Sequence, residues 1–188
     1  MTDDQIKEII LGDWISIAPE VRPSISKNAD GSLKPFYLTR SFTYQTADRF
    51  TLDVVNYADA FGKVPLVKIH IKGHIVWQGN HSLITGAQKV NFLADEAYEV
   101  IPLIQGFADA MNQIARSGFD KWKVNSAQSI LGKAFAPFGL AEGQIFTEFD
   151  LIYVLNDMLF WGARNVDGRG FDTEENRPTN LQIPLIRK

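Results

Sequence analysis

The chain has 188 residues, 45% hydrophobic and 22% charged, with 19 Lys and Arg against 22 Asp and Glu, a composition ordinary for one soluble domain spanning residues 1–188. It contains no cysteine, which excludes zinc ribbons, iron–sulfur clusters, thiol catalysis and disulfide scaffolds. The formal net charge of −3 supplies no electrostatic footprint for nucleic acid or for an anionic membrane.

The first eleven residues carry Asp3 and Asp4 where a signal peptide needs a basic region, and no stretch is long and apolar enough for a membrane span, so a cytoplasmic protein is expected. Ile6, Ile9 and Ile10 stand at helical spacing over Asp3 to Leu11, with Thr2 as cap, and predict a short N-terminal helix. From Trp14 the apolar period falls to two. Strands are expected over Trp14 to Arg22, Phe36 to Tyr44, Phe50 to Tyr57, Leu66 to Trp77 and Ala87 to Leu93, separated by turn-forming segments such as Asn28 to Ser32 and Gln78 to Asn80.

Val100, Ile104, Phe107, Met111 and Ile114 then fall on one helical face, predicting a long amphipathic helix from Asp95 to Arg116, ended by Gly118. A short strand at Trp122 to Val124, strands over Gln144 to Leu155 and Met158 to Ala163, and an edge strand at Leu181 to Ile186 complete the reading. The polar segment Arg164 to Asn180 is a long loop, a lid or a connector. About eight antiparallel strands with one long helix predict a mainly β protein, an up-and-down barrel able to hold one small ligand as lipocalins do, with a filled β-sandwich as the alternative.

Several motif-like runs carry no chemistry. Ala127 to Ala134 lacks the first glycine and the final Ser or Thr of a phosphate-binding loop, and Gly168-Arg169-Gly170 has no third glycine and no βαβ context. His70 and His74 share a strand face but stand about 13 Å apart at ~3.3 Å per residue unless Gly73 marks a bulge, so no metal site is expected. Val67, Ile69, Ile71, Ile75 and Trp77 form that strand's apolar face.

The informative positions are charges in phase with large apolar side chains, because a buried charge persists only with a partner or a use. Arg40 lies in phase with Phe36, Leu38, Phe42 and Tyr44; Glu20 and Arg22 continue the face of Trp14; Glu148 and Asp150 alternate with Phe146, Ile152 and Val154. Two arginines and three carboxylates are therefore expected to project into one interior, with Arg40 paired bidentately to Glu20 or Glu148. One reading is a structural ion-pair network. The other is a set of groups that orient a ligand's polar head in a cavity walled by Trp77, Trp161, Phe42, Tyr44 and Phe160.

The runs Gly12-Asp13-Trp14-Ile15-Ser16, Glu20-Val21-Arg22-Pro23 and Phe36-Tyr37-Leu38-Thr39-Arg40-Ser41-Phe42, followed by Phe50, Tyr57-Ala58-Asp59-Ala60-Phe61, Pro65, Gly73 and Gly86-Ala87, resemble the repeated domain of the adenomatosis polyposis coli down-regulated proteins. The likeness covers residues 11 to 95 best. Members of that family are membrane-anchored extracellular inhibitors of Wnt signalling, and the resemblance implies a lipocalin-like (calycin-type) β-barrel with an apolar pocket suited to a fatty acyl group. Pro19 and Gly62 stand where the family pattern has cysteines, which fits a reducing compartment and argues against the secreted signalling role.

Two functions follow as expectations. One is binding of an apolar or lipid-like small molecule in the barrel, with Glu20, Arg22, Arg40, Trp77 and Trp161 around it. The alternative is a cofactor-independent cyclase or isomerase acting on an apolar substrate, with Glu148, Asp150 or Tyr44 moving protons. Neither reading calls for a cofactor or a nucleic-acid partner, and a further alternative is an oligomeric scaffold or interaction domain whose exposed aromatics form a subunit contact.

Overall fold

The computed structural model describes residues 2–115 and 117–188. A first helix, α1 (Asp3–Ile10), opens with a capping box in which the Gln5 backbone N–H donates to the Thr2 hydroxyl at 3.3 Å and the Thr2 N–H donates to the Gln5 side chain at 2.9 Å. Ile6 and Ile10 on its inner face are buried. Ten strands follow: β1 (Gly12–Ser16), β2 (Glu20–Lys27), β3 (Leu33–Tyr44), β4 (Arg49–Tyr57), β5 (Pro65–Asn80), β6 (Gln88–Pro102), β7 (Gln128–Ser129), β8 (Thr147–Leu155), β9 (Met158–Trp161) and β10 (Leu185–Arg187). A second helix, α2 (Gln105–Ile114), lies between β6 and β7. No helix among the described residues is long and apolar enough to cross a membrane.

The pairings are antiparallel and make one ten-stranded sheet in the order β1, β10, β9, β8, β6, β5, β4, β3, β2, with β7 beside β6. β1 pairs with β10 on one edge, Trp14 opposite Arg187, and with β3 on the other, Trp14 opposite Phe42. β3 thus carries β1 and β2 end to end on the edge away from β4, and the hydrogen-bonded path returns to β3. A mainly antiparallel β protein with a short N-terminal helix is what the alternating pattern implied.

Several boundaries differ from the sequence expectation. Residues 95 to 102 are strand, not helix: β6 keeps its even-numbered residues inward from Gln88 to Ala94 and again from Tyr98 to Pro102, with Val90, Phe92, Ala94, Tyr98 and Val100 all buried and Glu96 between them turned to Arg49 and His74. The helical spacing that begins at Val100 joins the end of this strand to the start of α2, so the expected long helix shrinks to Gln105–Ile114. Its expected last residue, Arg116, lies outside the described residues. Ile17 to Pro19 interrupt the strand expected over Trp14 to Arg22, as a proline that cannot donate to the ladder would. Trp122 to Val124 is not a strand; buried Trp122 is tied to α2 by its backbone N–H, which donates to Asn112 Oδ1 at 2.8 Å, and its indole N–H reaches the Ala115 carbonyl just past the helix at 2.8 Å. The strand expected at an edge over Leu181 to Ile186 is Leu185–Arg187, and it is not an edge: β10 pairs with β1 on one side and β9 on the other.

Gly73 sits at a register shift. Lys72 faces Ala97 but His74 faces Leu93, so β6 holds two extra residues there, and a Cβ at Gly73 would lie 1.8 Å from the Leu93 carbonyl oxygen. Only glycine lets the strands approach this closely.

The inner face is arranged in cross-strand rows. Phe42, Leu52, Ile71 and Tyr98 form one, Arg40, Val54, Ile69 and Val100 the next, and Leu38, Asn56, Val67 and Pro102 the one beyond. The half nearest α1 is filled by aromatics: Trp161 packs on Phe92 at 4.1 Å and on Phe42 at 4.3 Å between ring centres, and Phe50 meets Phe92 edge-on at 5.2 Å. Each such pair contributes about 0.5–1.5 kcal/mol beyond its buried area. The other half is looser, since Val54, Asn56, Ile69, Phe146 and Glu148 remain half-buried although the hydrophobic ones pack against the core.

Candidate functional site

Glu20 and Arg22 come from the start of β2, Arg40 from the middle of β3, and Asp150 from the middle of β8, each on the inward register. Burying them removes four ionisable groups from water, with exposures of 1%, 5%, 4% and 0%. The arrangement survives because Glu20 divides its carboxylate. Its Oε1 accepts from Arg40 Nε at 2.6 Å and its Oε2 from Arg22 Nε at 3.0 Å. The expected Arg40 partnership is therefore with Glu20, through one oxygen rather than two. Arg40 also lies over the Trp161 ring at 4.5 Å, a desolvated cation–π contact of roughly 2 kcal/mol, and its backbone N–H donates to Ser16 Oγ at 2.8 Å.

Burial alone pushes the Glu20 carboxyl up, but the charges of Arg40 and Arg22 outweigh it and hold the group below the usual carboxylate range. Asp150 behaves oppositely. Its Oδ1 accepts the backbone N–H of Leu151 at 2.7 Å and of Gly162 at 2.9 Å, yet burial and then the Glu148 carboxylate push it up to about 7 against the pull of Arg40. Tyr44 accepts from the Trp161 indole N–H at 3.0 Å, and burial raises its phenol well above the ordinary value.

Three buried polar atoms of this cluster are left over. Arg40 Nη2 and Asp150 Oδ2 find no hydrogen-bond partner among the described residues, and Arg22 Nη2, though 3.0 Å from Glu20 Oε2, makes no aligned hydrogen bond. Native interiors satisfy the large majority of such groups. The side chain of Glu148, half-buried, makes no hydrogen bond or ion pair among the described residues, although its charge is felt by Arg22, Asp150 and Tyr98.

Of the residues singled out in the sequence, Glu20, Arg22, Arg40, Tyr44, Glu148, Asp150 and Trp161 come into one electrostatic neighbourhood. Trp77 does not. It sits at the α1 end, where its indole N–H donates to Asp48 at 2.9 Å under the Lys7 ammonium at 5.3 Å, beside a groove of about 290 Å3 bounded also by Tyr44, Ile75 and Ile10. A second groove of about 350 Å3 lies on the outer wall beside Ser41, Asp53 and Lys68. His70 pairs with Asp53 at 2.7 Å and His74 with Asp95 at 3.1 Å, so the two histidines have separate carboxylates.

Sequence reasoning left the segment Arg164 to Asn180 as a lid or a connector and named none of its residues as part of the site. It is strapped across the end of the sheet where β9 stops. Phe149 N–H donates to the Phe171 carbonyl at 2.7 Å, and buried Phe171 lies under Arg22 at 5.7 Å. Arg164 donates to the Gly168 carbonyl at 2.9 Å and adds a third cation beside Arg22; burial and then Arg22 lower its pKa. Buried Arg177 donates to the Val90 carbonyl at 2.7 Å, to the Asp150 carbonyl and to Asn91 Oδ1 at 2.7 Å. No periodicity marks these residues. The Pro-Gly-rich polar composition pointed to a loop but gave no sign of what the loop touches.

Pro19 and Gly62 lie against each other: a Cβ on Gly62 would meet Pro19 Cγ at 3.1 Å. No family model matches the chain, and no curated protein matches it.

Proposed function

We propose that the chain is a lipocalin-type barrel that binds an apolar or lipid-like small molecule on the half-open part of its inner face, with the molecule's polar end toward Arg22 and Arg40. The return of the strand path to β3 supports the barrel. The observation that carries the function is the contrast along the inner face: Phe42, Phe92 and Val90 are at most 3% exposed, whereas Val54, Ile69 and Phe146 stay half-buried next to a charged cluster with unsatisfied donors. An apolar surface with a few convergent polar groups is what small-molecule sites offer. The resemblance to a family with an acyl pocket points the same way.

Titration with the neutral fluorophore Nile red tests this reading. Saturable binding that Ile69→Trp weakens at least about tenfold supports it, since the indole occupies the inner row between Val54 and Val100. Saturable binding unaffected by Ile69→Trp, or no saturable binding, overturns it.

A cofactor-independent isomerase or cyclase is the second reading. It rests on one feature, the Asp150 carboxyl held near neutrality beside Glu148, a combination that suits a general acid or base.

A further inference from the structure

We propose that the ligand's polar end is an ionised carboxylate seated between Arg22, Arg40 and Asp150, and that the protein takes up one proton on Asp150 as this carboxylate binds. The inference rests on the binding function proposed above and adds the chemical class of the ligand.

Charge counting supports it. With Asp150 protonated, Arg22 and Arg40 stand against Glu20 alone, an excess of one positive charge, while Glu148 and Arg164 at the margin cancel. A monoanion neutralises that excess. An uncharged headgroup leaves it in place at a cost, because an uncompensated buried charge is poorly tolerated.

The unsatisfied atoms define the same ligand. Arg22 Nη2 and Arg40 Nη2 are N–H donors, suited to carboxylate oxygens. Asp150 Oδ1 is occupied by the Leu151 and Gly162 N–H groups, so a proton on Asp150 resides on the unpartnered Oδ2, where it becomes a third donor. Ionised, the same oxygen repels a carboxylate; two carboxylates sharing a site ionise together only at high cost. The proton comes from solvent and returns there on release. No bond of the ligand is made or broken.

The charged and titratable groups around Asp150 enter this balance: Glu148 on its own strand, Glu20 and Arg22 on β2, Arg40 and the neutral Tyr44 phenol on β3, and on the strap Arg164 and Arg177, the last donating to the Asp150 carbonyl and paired with Glu174. Burial and then Glu148 favour the proton, and Arg40, the Leu151 N–H and Arg22 oppose it. The path is short. Val54, half-buried, is the cross-strand neighbour of Arg40, so a chain lying over Val54 and Ile69 brings its terminal group to the arginines.

The test compares dodecanoate with dodecanol as competitors of Nile red at pH 6 and pH 8, using the intact chain and Asp150→Asn. Dodecanoate is expected to bind about tenfold more tightly at pH 6 than at pH 8, because each pH unit above the titration midpoint costs up to tenfold. Dodecanol is expected to bind more weakly and without pH dependence. Asp150→Asn keeps an acceptor for the two backbone N–H groups and supplies a permanent donor, so it is expected to bind dodecanoate equally at both values. If that variant does not fold, calorimetry of the unsubstituted protein at pH 8 in buffers of different ionisation enthalpy reads the proton directly, with uptake close to one per dodecanoate bound. Equal binding of acid and alcohol with no pH dependence and no proton uptake overturns the inference and leaves apolar binding intact. Failure of Nile red and of both competitors to bind overturns both.

Discussion

Arg40 Nε stands 2.6 Å from Glu20 Oε1, with both side chains almost wholly removed from solvent. Glu20 is the only carboxylate in direct contact with Arg22 or Arg40 among the described residues, and its second oxygen holds Arg22 at 3.0 Å. Glu20→Gln therefore strands two buried cations, and a loss of about 3–5 kcal/mol is expected from breaking a buried pair. Urea denaturation at neutral pH measures it. A loss below about 1 kcal/mol contradicts the placement.

Asp150 imposes a pH dependence of opposite sign to that of Glu20. Its folded carboxyl, near 7 against an ordinary 3.8, keeps a proton that the unfolded chain has already lost. The folded state then binds more protons between those values, and this contribution to stability falls as pH rises from about 4 to 7. Glu20, held low, contributes stability that is present above its ordinary range and lost as pH falls through its lowered value. Thermal melts of Asp150→Asn across that window are expected to show a shallower decline toward pH 7 than the unsubstituted chain. Parallel curves for the two proteins contradict the protonated Asp150.

Gly73 allows a contact that no side chain permits, with the Leu93 carbonyl oxygen 1.8 Å from where a Cβ would be. The nearest atom is backbone, so it cannot swing aside. Gly73→Ala is expected to cost more than about 2 kcal/mol or to prevent folding, on the scale of core overpacking. A neutral effect in urea denaturation means that β5 and β6 are not joined at this register shift.

Arg177 fastens the strap through two backbone carbonyls and the Asn91 side chain. Lysine presents one ammonium on a stem that cannot reproduce this fork. Arg177→Lys is expected to raise amide exchange and proteolytic cleavage within residues 164 to 176 while leaving β3, β4 and β5 protected. Unchanged protection of the strap, or equal loosening of the central strands, contradicts its role as a local fastener.

The strands were legible because one face of each is core, so residues such as Phe36, Leu38, Phe42 and Tyr44 recur every second position, and Arg40 among them pointed inward for the same reason. The end of β6 was not legible in that way. Val100, Ile104, Phe107 and Met111 fit a helical period even though the even positions from Val90 to Val100 fit a strand. A fifteen-residue partner for the sixteen residues of β5 decides between them, and that requirement is tertiary. Arg164, Phe171 and Arg177 were hidden because a loop has no period, and their partners are backbone groups far away in sequence.

The most direct test of the account is native mass spectrometry of the freshly purified protein beside its denatured mass, followed by identification of whatever is released. A discrete added mass of a few hundred daltons that dissociates on denaturation and proves to be an apolar molecule ending in a carboxylic acid is the predicted result. A bare native mass, together with no saturable Nile red binding, contradicts a ligand-binding barrel and leaves the Glu20, Arg22 and Arg40 cluster as architecture.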